Sequence, residues 1–135
     1  MSGESGRAAD PILVVDDETI VLQSIRLILR HAGYPSVGAS SGSEAIRLLE
    51  GPSRFSAAVV DLVLPDIEGE QVLRRASELR PEMPLVAMSG YGHRLSQSKA
   101  AAPASATMAK PFDRRSLIDT VEALLTASTT RRAKE

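Results

Sequence analysis

The sequence predicts an α/β fold, a single domain built on a doubly wound, five-stranded parallel sheet. Three observations carry that expectation. Apolar runs of strand length alternate with amphipathic helical stretches through most of the chain. No neighbouring strand runs are joined by a hairpin signal, so the strands need crossover connections and lie parallel. The first run is continuous and mostly β-branched rather than alternating, as in a strand buried on both faces. Right-handed crossovers then place helices on both sides of the sheet.

Ile12-Leu13-Val14-Val15 is that first run, and it stops at Asp16-Asp17. Ile20, Val21, Ser24, Ile25, Ile28 and Leu29 follow at helical spacing, with Gly33 placed to end the helix. Ser36–Ser40 reads as a weak second strand and Ser43–Leu49 as a short helix stopping near Gly51-Pro52. Ala57-Ala58-Val59-Val60 is the third strand and runs into Asp61. The next helix turns Val72, Leu73, Ala76 and Leu79 inward until Pro81 and Pro84 break it. Pro84–Met88 is the fourth strand, ahead of Ser89-Gly90. An alanine-rich stretch over 93–102 predicts a small helix, and Ala104–Ala109 a fifth strand ending at Lys110-Pro111. A last helix from about Arg114 buries Leu117, Ile118, Val121, Leu124 and Leu125.

The 135 residues fit one domain, and 43% hydrophobic with 24% charged residues is the composition of a soluble globular protein. Aromatic residues make up only 3% and tryptophan is absent, so the core must be aliphatic. A net charge of −1 gives no nucleic-acid footprint, and the absence of cysteine excludes disulfides and thiolate metal sites. No apolar run reaches the ~20 residues of a membrane span, and the polar N-terminus has no secretory h-region. A cytoplasmic protein is expected, without nucleic-acid or membrane partners. Residues 1–9 and 128–135 read as flexible tails around a domain over 10–127.

The chemistry is expected at the strand ends. The first strand ends in Asp16-Asp17, the third in Asp61, the fourth in Ser89 and the fifth in Lys110. In an open α/β sheet, ligands bind outside the carboxyl ends of the strands, near the switch in strand order. Three carboxylates gathered there repel one another unless a cation is bound, and oxygen-only ligands suit Mg²⁺. Lys110 adds a fixed positive charge and Ser89 a hydroxyl donor. That set meets the needs of phosphoryl transfer to a carboxylate. Each residue alone has a plainer reading: Asp17 as helix N-cap, Asp61 as turn residue before Leu64-Pro65, Lys110 as surface lysine. The joint pattern favours the chemical reading. His31 is expected at the end of the first helix and His93 in a solvated loop.

Val14-Val15-Asp16-Asp17-Glu18, Val60 through Gly69, Met88-Ser89-Gly90-Tyr91-Gly92 and Lys110-Pro111-Phe112 resemble the four signature blocks of the response-regulator receiver family. The resemblance covers about Pro11 to Thr126 and implies the (βα)5 flavodoxin-like receiver fold. It implies that Asp61 accepts a phosphoryl group from a histidine kinase or its phosphohistidine domain. It further implies that Asp17 ligates the metal directly, that Asp16 acts mainly through water, and that Val63 offers its backbone carbonyl. Ser89 is similar to the switch hydroxyl, Lys110 to the lysine that pairs with the phosphoryl group, and Lys110-Pro111 to the family's cis peptide. The implied function is a phosphorylation-controlled signalling switch, monomeric or dimerising on phosphorylation, and not an enzyme with a separate product. The rival expectations are a receiver-like binding module that works without phosphorylation, and a small hydrolase. The latter lacks a second aspartate two residues after Asp61, where Val63 stands.

The chain departs from the family pattern at Thr107, three residues before Lys110, where receivers often carry an aromatic ring. The outward relay is therefore expected to differ. Val63 and Tyr91 flank the phosphoryl position in the resemblance and imply a long-lived phosphoryl-aspartate.

Overall fold

The computed structural model describes residues 10–90 and 103–134, the last seven by their backbone alone. Five parallel strands form one sheet in the order β2-β1-β3-β4-β5: β1 (Ile12–Val15), β2 (Ser36–Ala39), β3 (Ala57–Asp61), β4 (Leu85–Ser89) and β5 (Ala106–Ala109). The described helices are α1 (Thr19–His31), α2 (Gly42–Glu50), α3 (Gly69–Leu79) and α4 (Arg114–Lys134). The helix expected over 93–102 lies outside the described residues.

Strand periodicity divides the core into two layers. Ile12 and Val14, Ala57 and Val59, and Val86 and Met88 face α1 and α4, where they meet Leu22, Ile25, Leu29, Leu117 and Val121. Leu13 and Val15, Ala58 and Val60, and Leu85 and Ala87 face α2 and α3, against Ala45, Leu49, Val72, Leu73 and Ala76. Both faces of the central strands are therefore dry, and their sequences need no polar alternation. Each fully buried branched side chain contributes about 1.5–3 kcal/mol.

The edge strands β2 and β5 are less buried, which explains their weak sequence patterns. Thr107 is exposed on β5, opposite Ala87. Helix α1 corrects one expectation: Ile20 is 81% exposed and Ser24 is exposed too, while Leu22, Ile25 and Leu29 make the buried stripe. Ile20 belongs to the first turn, where it lines an open cleft beside Asp17 and Lys110 instead of the core. Gly33 ends α1 with φ at 93°, as its position in the sequence predicts. Helix α4 runs on to Lys134, where a tail was expected from residue 128. The stretch holds no glycine or proline to stop the helix, and Arg131, Arg132, Ala133 and Lys134 favour it.

The chain steps from β1 outward to β2, then back across β1 to β3 and on to β4 and β5. That reversal opens a crevice above the carboxyl ends of β1 and β3, the ends that carry Asp16, Asp17 and Asp61.

Candidate functional site

Three strands deliver the charged groups. Asp16 and Asp17 follow β1, Asp61 closes β3, and Lys110 follows β5. Lys110 Nζ donates to Asp16 Oδ2 at 2.8 Å and to Asp61 Oδ2 at 2.9 Å, bridging both carboxylates with one ammonium. Asp16 is fully buried and Asp61 is 4% exposed, so water screens these pairs little. The remaining oxygens are also engaged. Asp16 Oδ1 accepts the Glu18 N–H at 2.9 Å, and Asp61 Oδ1 accepts the Val63 N–H at 3.1 Å.

The N-cap of α1 is Glu18, and it makes no side-chain capping bond. The capping reading of Asp17 therefore fails. Asp17 is exposed, and oxygens of Asp16, Asp17 and Asp61 lie within 4.8 Å of one another. The carboxylates gathered around the one ammonium outnumber it and leave the cluster net negative, which suits a divalent cation. The ammonium between Asp16 and Asp61 marks where these oxygens already converge on positive charge. Their hard oxygen donors fit an ion that keeps part of its water shell.

Burial pushes the Asp61 pKa up; hydrogen bonds from Lys110 and the Val63 N–H, with the Lys110 charge, pull it back without cancelling the rise. For Lys110, burial disfavours the charge, but the Asp16 and Asp61 hydrogen bonds outweigh it and the pKa is raised. Lys110 is therefore a firmly protonated donor at neutral pH.

Ser89 ends β4 and is 5% exposed. Its carbonyl accepts the Lys110 N–H at 2.7 Å, which ties the end of β4 to the lysine. The strand register sets Asp61 opposite Met88, so Ser89 lies one residue further toward the crevice. The Lys110-Pro111 peptide is cis, as expected. Around these groups lies a cleft of about 710 Å³ whose walls include Ile20, Val21, Val63 and Phe112. The Val63 side chain is 56% exposed there. Tyr91 and His93 lie outside the described residues, and His31 closes α1 on the exposed surface.

Two neighbours of the site escaped the sequence reading. Glu18 Oε1 lies 3.7 Å from Lys110 Nζ. Asp66 binds the start of α2: its Oδ1 accepts the Gly42 N–H and its Oδ2 the Ser43 N–H, each at 2.9 Å. The Pro65-Asp66 step signals a turn, but nothing local names its partner.

The family model described as "Response regulator receiver domain" matches residues 12–122. The response regulator receiver protein CpdR of Brucella abortus is 30% identical over 119 residues, covering 87% of this chain and 98% of that protein. The sensor kinase CckA of the same species is 28% identical over 120 residues, but the match spans only 13% of the kinase. A CheY-like receiver domain protein of Methanospirillum hungatei JF-1 aligns with a TM-score of 0.85 at 33% identity, covering 91% of this chain and 98% of that one. The carboxyl-edge cluster, the strand order and these likenesses agree, and the chain belongs to the response regulator receiver domain family.

Proposed function

We propose that the chain accepts a phosphoryl group on Asp61 from the phosphohistidine of a histidine kinase or its phosphohistidine domain, in a Mg²⁺-dependent reaction. The observation that carries this reading is the Lys110 ammonium held between Asp16 and Asp61 at the carboxyl edge of the sheet. One Asp61 oxygen attacks phosphorus, an O–P bond forms, and the N–P bond of the donor imidazole breaks. The imidazole leaves with the bonding pair and takes a proton. Lys110 Nζ, already directed at Asp61, stays with the new phosphoryl oxygens, and the Ser89 hydroxyl donates to them. Asp17, Asp61 and the Val63 carbonyl would hold the metal, with Asp16 acting mainly through water. When bound, the ion would offset the surplus negative charge of the cluster and stabilise the charge that develops on the phosphoryl oxygens.

The acyl phosphate adds charge beside Ser89 and Lys110 and so biases the surface around β5 between two arrangements. Thr107 is exposed on that strand, so the shift is read without an inward-swinging ring. The chain catalyses only its own phosphorylation and dephosphorylation, from a receiver domain over 10–127 in the cytoplasm. It acts as a monomer or dimerises when phosphorylated.

Exposure of the purified protein to beryllofluoride and Mg²⁺ tests the reading by fluorine NMR. Bound fluorine signals are expected with the wild type and none with Asp61→Asn. Absence of signals in the wild type would favour the binding module that works without phosphorylation.

A further inference from the structure

The segment from Asp61 to Gly69 is closed at its base and clipped at its far end. Leu62 N–H donates to the Met88 carbonyl at 2.9 Å, and Gly69 N–H returns to the Leu62 carbonyl at 3.0 Å. Residues 63–68 project between those bonds, and Val63 is among them. Among the described residues, the side-chain hydrogen bonds from this loop to another element come from Asp66. Its two oxygens accept the Gly42 and Ser43 N–H groups and the Ser43 hydroxyl, while Oδ1 also accepts the Ile67 N–H at 3.0 Å. Ile67 packs directly over Gly42, where a Cβ would collide with it. The Ser43 hydroxyl and these N–H groups hold the Asp66 carboxyl well below the usual carboxylate range, so the clip is ionised at any ordinary pH.

Helix α2 already has a cap of its own, since Ser41 Oγ accepts the Glu44 N–H at 3.2 Å. Asp66 instead reaches α2 from a different element, 23 and 24 residues away in sequence. We propose that Asp66 is a positioning residue for the metal site, fixing on the start of α2 the loop that carries Val63. The Val63 N–H sits 3.1 Å from Asp61 Oδ1, and its carbonyl is the backbone ligand of the proposed function, on which this inference rests.

The test compares wild type, Asp66→Ala, Asp66→Asn and Ser41→Ala by Mg²⁺ titration calorimetry, thermal melting and amide hydrogen exchange. Asp66→Ala weakens Mg²⁺ binding roughly tenfold, in the range seen when groups behind a metal ligand are removed. It also speeds exchange at 63–68. Asp66→Asn, which keeps one acceptor oxygen, falls between it and the wild type. Ser41→Ala lowers the Tm through the same helix end but leaves Mg²⁺ affinity unchanged. Wild-type affinity in Asp66→Ala overturns the role of Asp66 alone, as does equal weakening by Ser41→Ala. A wild type that fails to bind Mg²⁺ takes down the metal-dependent reading and this role together.

Discussion

Asp61 carries its charge at 4% exposure, and the Lys110 and Val63 hydrogen bonds do not fully offset the loss of water. Its folded pKa therefore stands above the ordinary 3.8. A carboxyl with a raised folded pKa contributes stability that is fully present below the unfolded pKa and lost as pH rises through the folded one. In EDTA, Asp61→Asn should thus be more stable than the wild type at pH 7, and the difference should close below 3.8. Urea midpoints across pH read this directly; a less stable Asn variant at pH 7 would mean that pairing with Lys110 outweighs burial. The same residues show which part of the site the sequence discloses. Asp16, Asp17, Asp61 and Lys110 each follow an apolar strand run, so topology alone forecasts their convergence. Glu18 and Asp66 do not, because what faces them is set by packing across the sheet's edge.

Elements are held where side chains are missing as well as where they are present. Gly69 opens α3 so close to the end of β3 that a Cβ would collide with the Asp61 carbonyl oxygen and lie 2.5 Å from Leu62 Cα. Both obstacles are backbone and cannot yield by a rotamer change. Gly69→Ala should cost about 3 kcal/mol, at the upper end of overpacking, and shift the Asp61 strand end with it. Gly33 is the contrast: its neighbourhood is open and only its φ of 93° resists a side chain. Gly33→Ala should cost about 1–2 kcal/mol without touching the site. Denaturant midpoints rank the two, and a Gly69→Ala cost no larger than that of Gly33→Ala would refute the steric account. Helix and strand positions were legible because the central strands are apolar on both faces and the helices have one apolar stripe. The register of α1 was less so: Ile20 continues the apolar spacing but lines the open cleft, and periodicity cannot tell a core position from a cleft wall. The run of α4 to Lys134 is not legible in the sequence, because its small and polar residues carry no apolar stripe and read like a tail.

Across the whole molecule, the carboxylate cluster exists only in the folded chain. The Lys110–Asp16 contact closes 94 residues and the Lys110–Asp61 contact 49, so the unfolded chain holds no comparable site. An ion that binds the native cluster must therefore stabilise the entire fold by mass action. At a hundredfold excess over its Kd that amounts to about 2.7 kcal/mol. Calorimetric scans in Mg²⁺ should show a Tm several degrees above that in EDTA. Asp17→Asn should melt with the wild type in EDTA, since Asp17 is exposed, and should lose most of the Mg²⁺ increment. A wild-type Tm indifferent to Mg²⁺ would leave the cluster a purely structural ion pair with Lys110. An increment retained in Asp17→Asn would instead place the ion away from the β1 end, because Asp17 is the exposed member of the Asp16, Asp17 and Asp61 set.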